Sequence, residues 1–79
     1  MITIKELINK IKFDAREKPE DYVFFYLDRI ENKLKEIKFR EIKRIEGNFL
    51  VLERKGEEVE IPMHRIKKVE KKGEKVWER

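Results

Sequence analysis

The chain has 79 residues, enough for one small domain near the size at which a single apolar core barely suffices. It has no cysteine, which excludes disulfide staples and thiolate metal sites, and 48% of its residues are charged against 39% hydrophobic, with a net charge of +4. Glutamine and serine are absent and threonine occurs once, a Lys/Glu-rich balance expected of an intracellular protein from a hyperthermophile.

Thr3 followed by Glu6 has the spacing of a capping box and predicts a helix over residues 4 to 12. Ile4, Leu7, Ile8 and Ile11 fall on one face of it, and Lys5, Asn9, Lys10 and Lys12 on the other, so it packs from outside. Residues 14 to 20, with Pro19, read as a loop. Tyr22-Val23-Phe24-Phe25-Tyr26-Leu27 is the most apolar run and predicts a strand at 22 to 28. Alternation puts Tyr22, Phe24, Tyr26 and Asp28 on one side, and Val23, Phe25, Leu27 and Arg29 on the other. Glu31-Asn32 marks a hairpin tip, and Leu34, Ile37 and Phe39 belong to the returning strand. Further strands are expected at Phe49–Leu52, Val59–Ile61 and Val76-Trp77, set off by turns at Gly47-Asn48, Lys55-Gly56 and Lys72-Gly73.

A repeat runs through these elements. Leu27-Asp28-Arg29, Leu52-Glu53-Arg54 and Trp77-Glu78-Arg79 recur at a spacing of 25 residues, and Ile37, Ile42, Ile45 and Glu46 match Ile61, Ile66, Val69 and Glu70 at a spacing of 24. Each unit, 22 to 46 and 49 to 70, reads as a hairpin, a tight corner and another strand; chance similarity in a Lys/Glu/Ile-rich chain is the other reading. The expected fold is α+β: a single domain over 1 to 79, with an N-terminal helix packed on a small antiparallel sheet or half-barrel of five or more strands. The corners differ. The first carries Arg40-Glu41, while the second carries His64-Arg65 with no acid beside it.

Residues 61 to 73 add Lys67, Lys68, Lys71 and Lys72 to Arg65 against Glu70 alone, a pattern that suits a phosphate track or a solvated lysine-rich hairpin equally. One histidine and no cysteine make a zinc site improbable, and the single histidine excludes two-histidine hydrolysis of a cyclic phosphodiester. There is no serine nucleophile and no glycine-rich phosphate loop. These absences favour a binding module over an ordinary hydrolase, with no metal and no cofactor. No apolar run is long enough to span a bilayer, and Met1-Ile2-Thr3 opens no signal peptide, so a cytoplasmic protein is expected.

Tyr22, Tyr26-Leu27-Asp28-Arg29, Ile61-Pro62-Met63-His64-Arg65-Ile66 and Val76-Trp77-Glu78-Arg79 together resemble the RNA cyclic group end recognition domain, a family of small archaeal proteins that also occurs as a module in larger eukaryotic ones. The match extends over nearly the whole chain, with Phe13 standing where the resemblance leads one to expect tryptophan. It implies a partner: RNA whose end carries a 2′,3′-cyclic or terminal phosphate, in RNA processing or repair, with protein partners in the same processes. Such an end needs cationic donors on its phosphate and a flat side chain under its last base. His64, Arg65, Arg29 and Arg79 are then the candidate donors, and Tyr26 and Trp77 the candidate platforms, though a small domain also needs such rings in its core. Asp28 would position an arginine, or hydrogen-bond His64 and favour its imidazolium. Two rival readings stand beside this one: a small phosphotransfer or cyclic-phosphate-processing enzyme with His64 as general acid-base, and a protein-interaction module that uses a strand edge.

Overall fold

In the computed structural model, which describes residues 2–79, Thr3 caps the first helix as its spacing to Glu6 requires. The Thr3 hydroxyl accepts the Glu6 amide at 3.1 Å, and α1 (Ile4–Phe13) buries Ile4, Leu7, Ile8 and Ile11. The helix stops at Asp14, whose carboxylate accepts the Arg16 amide at 2.9 Å and its guanidinium at 3.1 Å. The expected loop ends earlier than residue 20, in a single 3₁₀ turn at Pro19–Asp21.

Seven strands follow: β1 (Tyr22–Asp28), β2 (Lys33–Lys38), β3 (Ile42–Glu46), β4 (Phe49–Arg54), β5 (Glu57–Pro62), β6 (Ile66–Lys71) and β7 (Glu74–Glu78). They form two antiparallel sheets, ordered β2-β1-β6-β7 and β3-β4-β5, and not a closed barrel. The fold is thus the α+β class expected, with more strands than the five required. Phe39 leaves the returning strand, because 3₁₀ turns occupy both corners, at Phe39–Glu41 and Met63–Arg65. The turns Lys55-Gly56 and Lys72-Gly73 hold positive φ at both residues, the hairpin geometry that matches strand twist.

The core is drawn evenly from both sheets. Phe24, Ile37, Leu50, Leu52, Ile66 and Val69 are fully buried, with the apolar stripe of α1 and Trp77 closing over them. Strand pairing reveals a correspondence between the sheets. Phe24 pairs with Ile37 on one side and Val69 on the other, and Leu50 pairs with Ile61 and Ile45 in the same way. Tyr26 opposite Ile66 likewise matches Leu52 opposite Ile42, and both ladders shift register beside that pair. Thus β1, β2 and β6 correspond to β4, β5 and β3, each triple borrowing its third strand from the other half of the chain. In this register Asp28, opposite Lys33, corresponds to Arg54, opposite Glu57. The Leu-Asp-Arg match read from the sequence is therefore one residue out of step. The Ile matches spaced by 24 are in step.

Candidate RNA-end interface

The corner residues take their environment from what precedes them. At the first corner Lys38 has an amide hydrogen, which donates to Glu41 Oε1 at 2.8 Å. Glu41 Oε2 accepts Arg54 Nε at 2.8 Å, and Arg54 Nη2 donates to the Glu36 carbonyl at 2.8 Å. Desolvation alone would raise the Glu41 carboxyl, but the Lys38 amide and the Arg54 guanidinium outweigh it and hold it below the usual range. The Glu41–Arg54 pair is closed and internally neutral, and Arg40 beside it stands exposed.

At the second corner Pro62 stands in the place of Lys38 and offers no amide hydrogen, so no carboxylate is needed to receive one. Arg65 takes the place of Glu41. Its Nε is buried and has no hydrogen-bond partner among the described residues. The acid at the corresponding strand end, Asp28, is committed elsewhere. It accepts the Ile30 and Glu31 amides at 2.8 and 3.1 Å and pairs with Lys35 at 3.0 Å. The Glu31 amide and the Lys35 ammonium, foremost among these, lower its carboxyl to about 2. Of the two roles considered for Asp28, the hydrogen bond to His64 is not among those of the described residues: hairpin-tip amides and Lys35 use the oxygens. His64 is exposed and its ring meets no partner among the described residues, so nothing fixes its tautomer.

The other sequence-predicted residues divide by position. Arg79 reaches the corner, donating from Nε to the Ile66 carbonyl at 3.1 Å and from Nη2 to the Met63 carbonyl at 3.2 Å. Arg29 follows β1, whose end lies beside the start of β6, and stands exposed in the turn without an ion-pair partner among the described residues. Trp77 is 7% exposed, donates its indole hydrogen to the Ile2 carbonyl at 2.8 Å and has the Arg79 guanidinium 5.3 Å from its ring. Tyr26 is half-buried and packs against the core. Phe13 is 75% exposed, so its ring is not a core substitute for tryptophan.

The basic run is less basic in space than in sequence. Lys68 pairs with Glu70 at 3.2 Å, Lys71 with Glu17 at 3.1 Å and Lys72 with Asp21 at 3.9 Å. The charge left unpaired gathers at the corner: Arg65, and Lys67, whose ammonium meets the His64 carbonyl at 3.3 Å. Beside it opens a cleft of about 500 Å³ walled by Met63, Trp77 and Arg79, with Thr3, Lys5 and Asn48 completing it. Sequence reasoning missed those last three, because the cleft joins the helix N-terminus to a β-turn through tertiary packing that no local pattern announces. Among the described residues, no three His, Cys, Asp or Glu side chains converge as metal ligands, and no helix is long and apolar enough to cross a membrane.

The model of the MJ1316 RNA cyclic group end recognition domain family matches residues 1–79. The chain belongs to that family. It is 39% identical over 79 residues to a UPF0248 protein of Saccharolobus islandicus, an alignment covering 96% of this chain and 98% of the relative. A UPF0248 protein of Saccharolobus solfataricus is 38% identical, with 96% and 95% covered. One from Metallosphaera sedula is 32% identical over 78 residues, with 99% and 94% covered. No solved structure matches the chain. The family's description names RNA ends.

Proposed function

We propose that the domain binds RNA ends bearing a 2′,3′-cyclic or terminal phosphate, gripping the phosphate at the Met63–Arg65 corner without cleaving it. The carrying observation is the buried, unpartnered Nε of Arg65 at a place where the corresponding corner holds a carboxylate. A phosphate oxygen supplies the acceptor that Asp28 does not, and an arginine fork suits it. An exposed His64 and a half-buried Lys67 flank this point, Arg29 stands at the same end of the sheet, and Arg79 shapes the corner through its carbonyls. The family's description agrees with an RNA-end ligand.

The test is one short RNA ending in cyclic phosphate, linear phosphate or hydroxyl, bound to the wild type and to Arg65→Ala. Loss of a charge-assisted contact of about 1.5–3 kcal/mol weakens phosphate ends roughly ten- to hundredfold. Hydroxyl ends change little, and thermal unfolding confirms the variant's fold. Equal weakening of all three ends, or no preference in the wild type, leaves only a basic surface and refutes the reading. Turnover of the cyclic end would make His64 a catalytic group instead.

A further inference from the structure

At the outer edge of β3 the correspondence between the sheets lacks a strand. On β6 the equivalent edge is covered by β7, whose Trp77 pairs with Val69 and enters the core. On β3, Ile45 stands where Val69 does, yet β4 is its sole strand neighbour. Beyond their pairing with β4 and the bond from the Ile42 amide to the Phe39 carbonyl, the backbone groups of Ile42–Glu46 meet no hydrogen-bond partner among the described residues. α1 runs alongside, leaving a groove of about 360 Å³ between helix and strand. Ile8, Phe39, Ile42 and Ile45 give it an apolar floor.

We propose that this groove receives an extended acidic segment of a partner protein, added to β3 as a further strand. The proposal is independent of the RNA-end reading. An unpaired strand edge presents alternating amide donors and carbonyl acceptors, which another peptide backbone satisfies in full. An RNA backbone offers phosphate acceptors with only its 2′-hydroxyls as donors, does not match the alternating spacing of the edge, and would face the edge carbonyls with like charge. The rim supplies the charge preference. Lys43 and Arg44 are neutralised by Glu46, Glu53 and Glu58, whereas Lys5 and Lys12 have no acidic partner among the described residues. The protein's own β7 shows the matching chemistry: a large apolar side chain, Trp77, on a strand that carries Glu74 and Glu78. In a partner, the apolar side chain would lie opposite Ile45 and the acids beside Lys5 and Lys12.

A synthetic peptide with the sequence of β7, in which Lys75 is replaced by glutamate, serves as the probe, titrated into the full isotope-labelled chain. Saturable amide shifts are expected over Ile42–Glu46 and along α1, and a peptide with lysines for glutamates should give none. Lys5→Gln with Lys12→Gln should weaken binding about three- to tenfold, with the fold checked by thermal unfolding. Arg65→Ala should leave it unchanged, which separates this site from the RNA end. Shifts absent at millimolar peptide, or confined to β6, or insensitive to the lysine pair, overturn the proposal. So does a short RNA that shifts the same β3 amides.

Discussion

The corners at Phe39–Glu41 and Met63–Arg65 hold corresponding places in the two sheets, yet one is chemically finished and the other is not. In the first, a single glutamate caps the Lys38 amide and anchors Arg54, so both of these donors have their acceptor inside the molecule, while Arg40 stands exposed. In the second, proline removes the amide that needed capping, and an arginine takes the freed position without an acid to meet it. The backbone turn survives the exchange because three residues of 3₁₀ geometry need neither side chain. What changes is where the electrostatic partner must come from: from within at the first corner, from outside at the second.

The sharpest test of the correspondence is in the core beneath both corners. Phe24 and Leu50, both fully buried, should cost similar amounts when cut to alanine, about 3–5 and 2–5 kcal/mol by denaturant titration. A small loss at either one would break the equivalence. Next comes Glu41→Ala, which leaves a half-buried Arg54 and an uncapped amide. It should cost about 1.5–3 kcal/mol, toward the lower end because both side chains reach solvent, and lower the unfolding temperature. Arg65→Ala should cost little or nothing, since that side chain leaves no partner unpaired. A large loss there would mean the second corner is closed after all.

The smallest effect concerns Asp28. Its carboxyl is lowered to about 2 in the folded chain, against about 3.9 in an unfolded one. Its contribution is therefore full above about pH 4 and is lost as pH falls from there through 2. Acid should loosen the β1–β2 hairpin tip, seen as faster amide exchange at Ile30 and Glu31, and Asp28→Asn should reduce that pH dependence. A protonated Asp28 that leaves these amides protected would remove the account of why it ignores Arg65.

Much of the fold was written in local patterns. The Thr3–Glu6 cap, the isoleucine and leucine stripe of α1 and the Lys-Gly turns act within a few residues, and each stands where it was expected. The site was less legible. His64, Arg65 and Arg79 do meet at one corner, but the loop between Asp28 and Lys33 holds four residues where that between Arg54 and Glu57 holds two, which puts Asp28, not Arg29, in correspondence with Arg54. A longer loop displaces one strand against its counterpart and leaves no mark in a hydrophobic pattern already continuous from Tyr22 to Leu27. The lysines misled for a related reason, since Glu17 and Asp21, which neutralise Lys71 and Lys72, lie some fifty residues upstream.

The bond from the Trp77 indole to the Ile2 carbonyl has a consequence in time. The helix leaves the ribosome before all seven strands, and the strand that supplies Trp77 follows the other six. A ten-residue helix is marginal alone in water, so α1 depends on strands made after it, and the Trp77 contact arrives with the seventh. Folding here joins the helix to the seventh strand across the whole fold, slow by topology, and a chain stalled before residue 77 leaves the helix without the ring that closes over it.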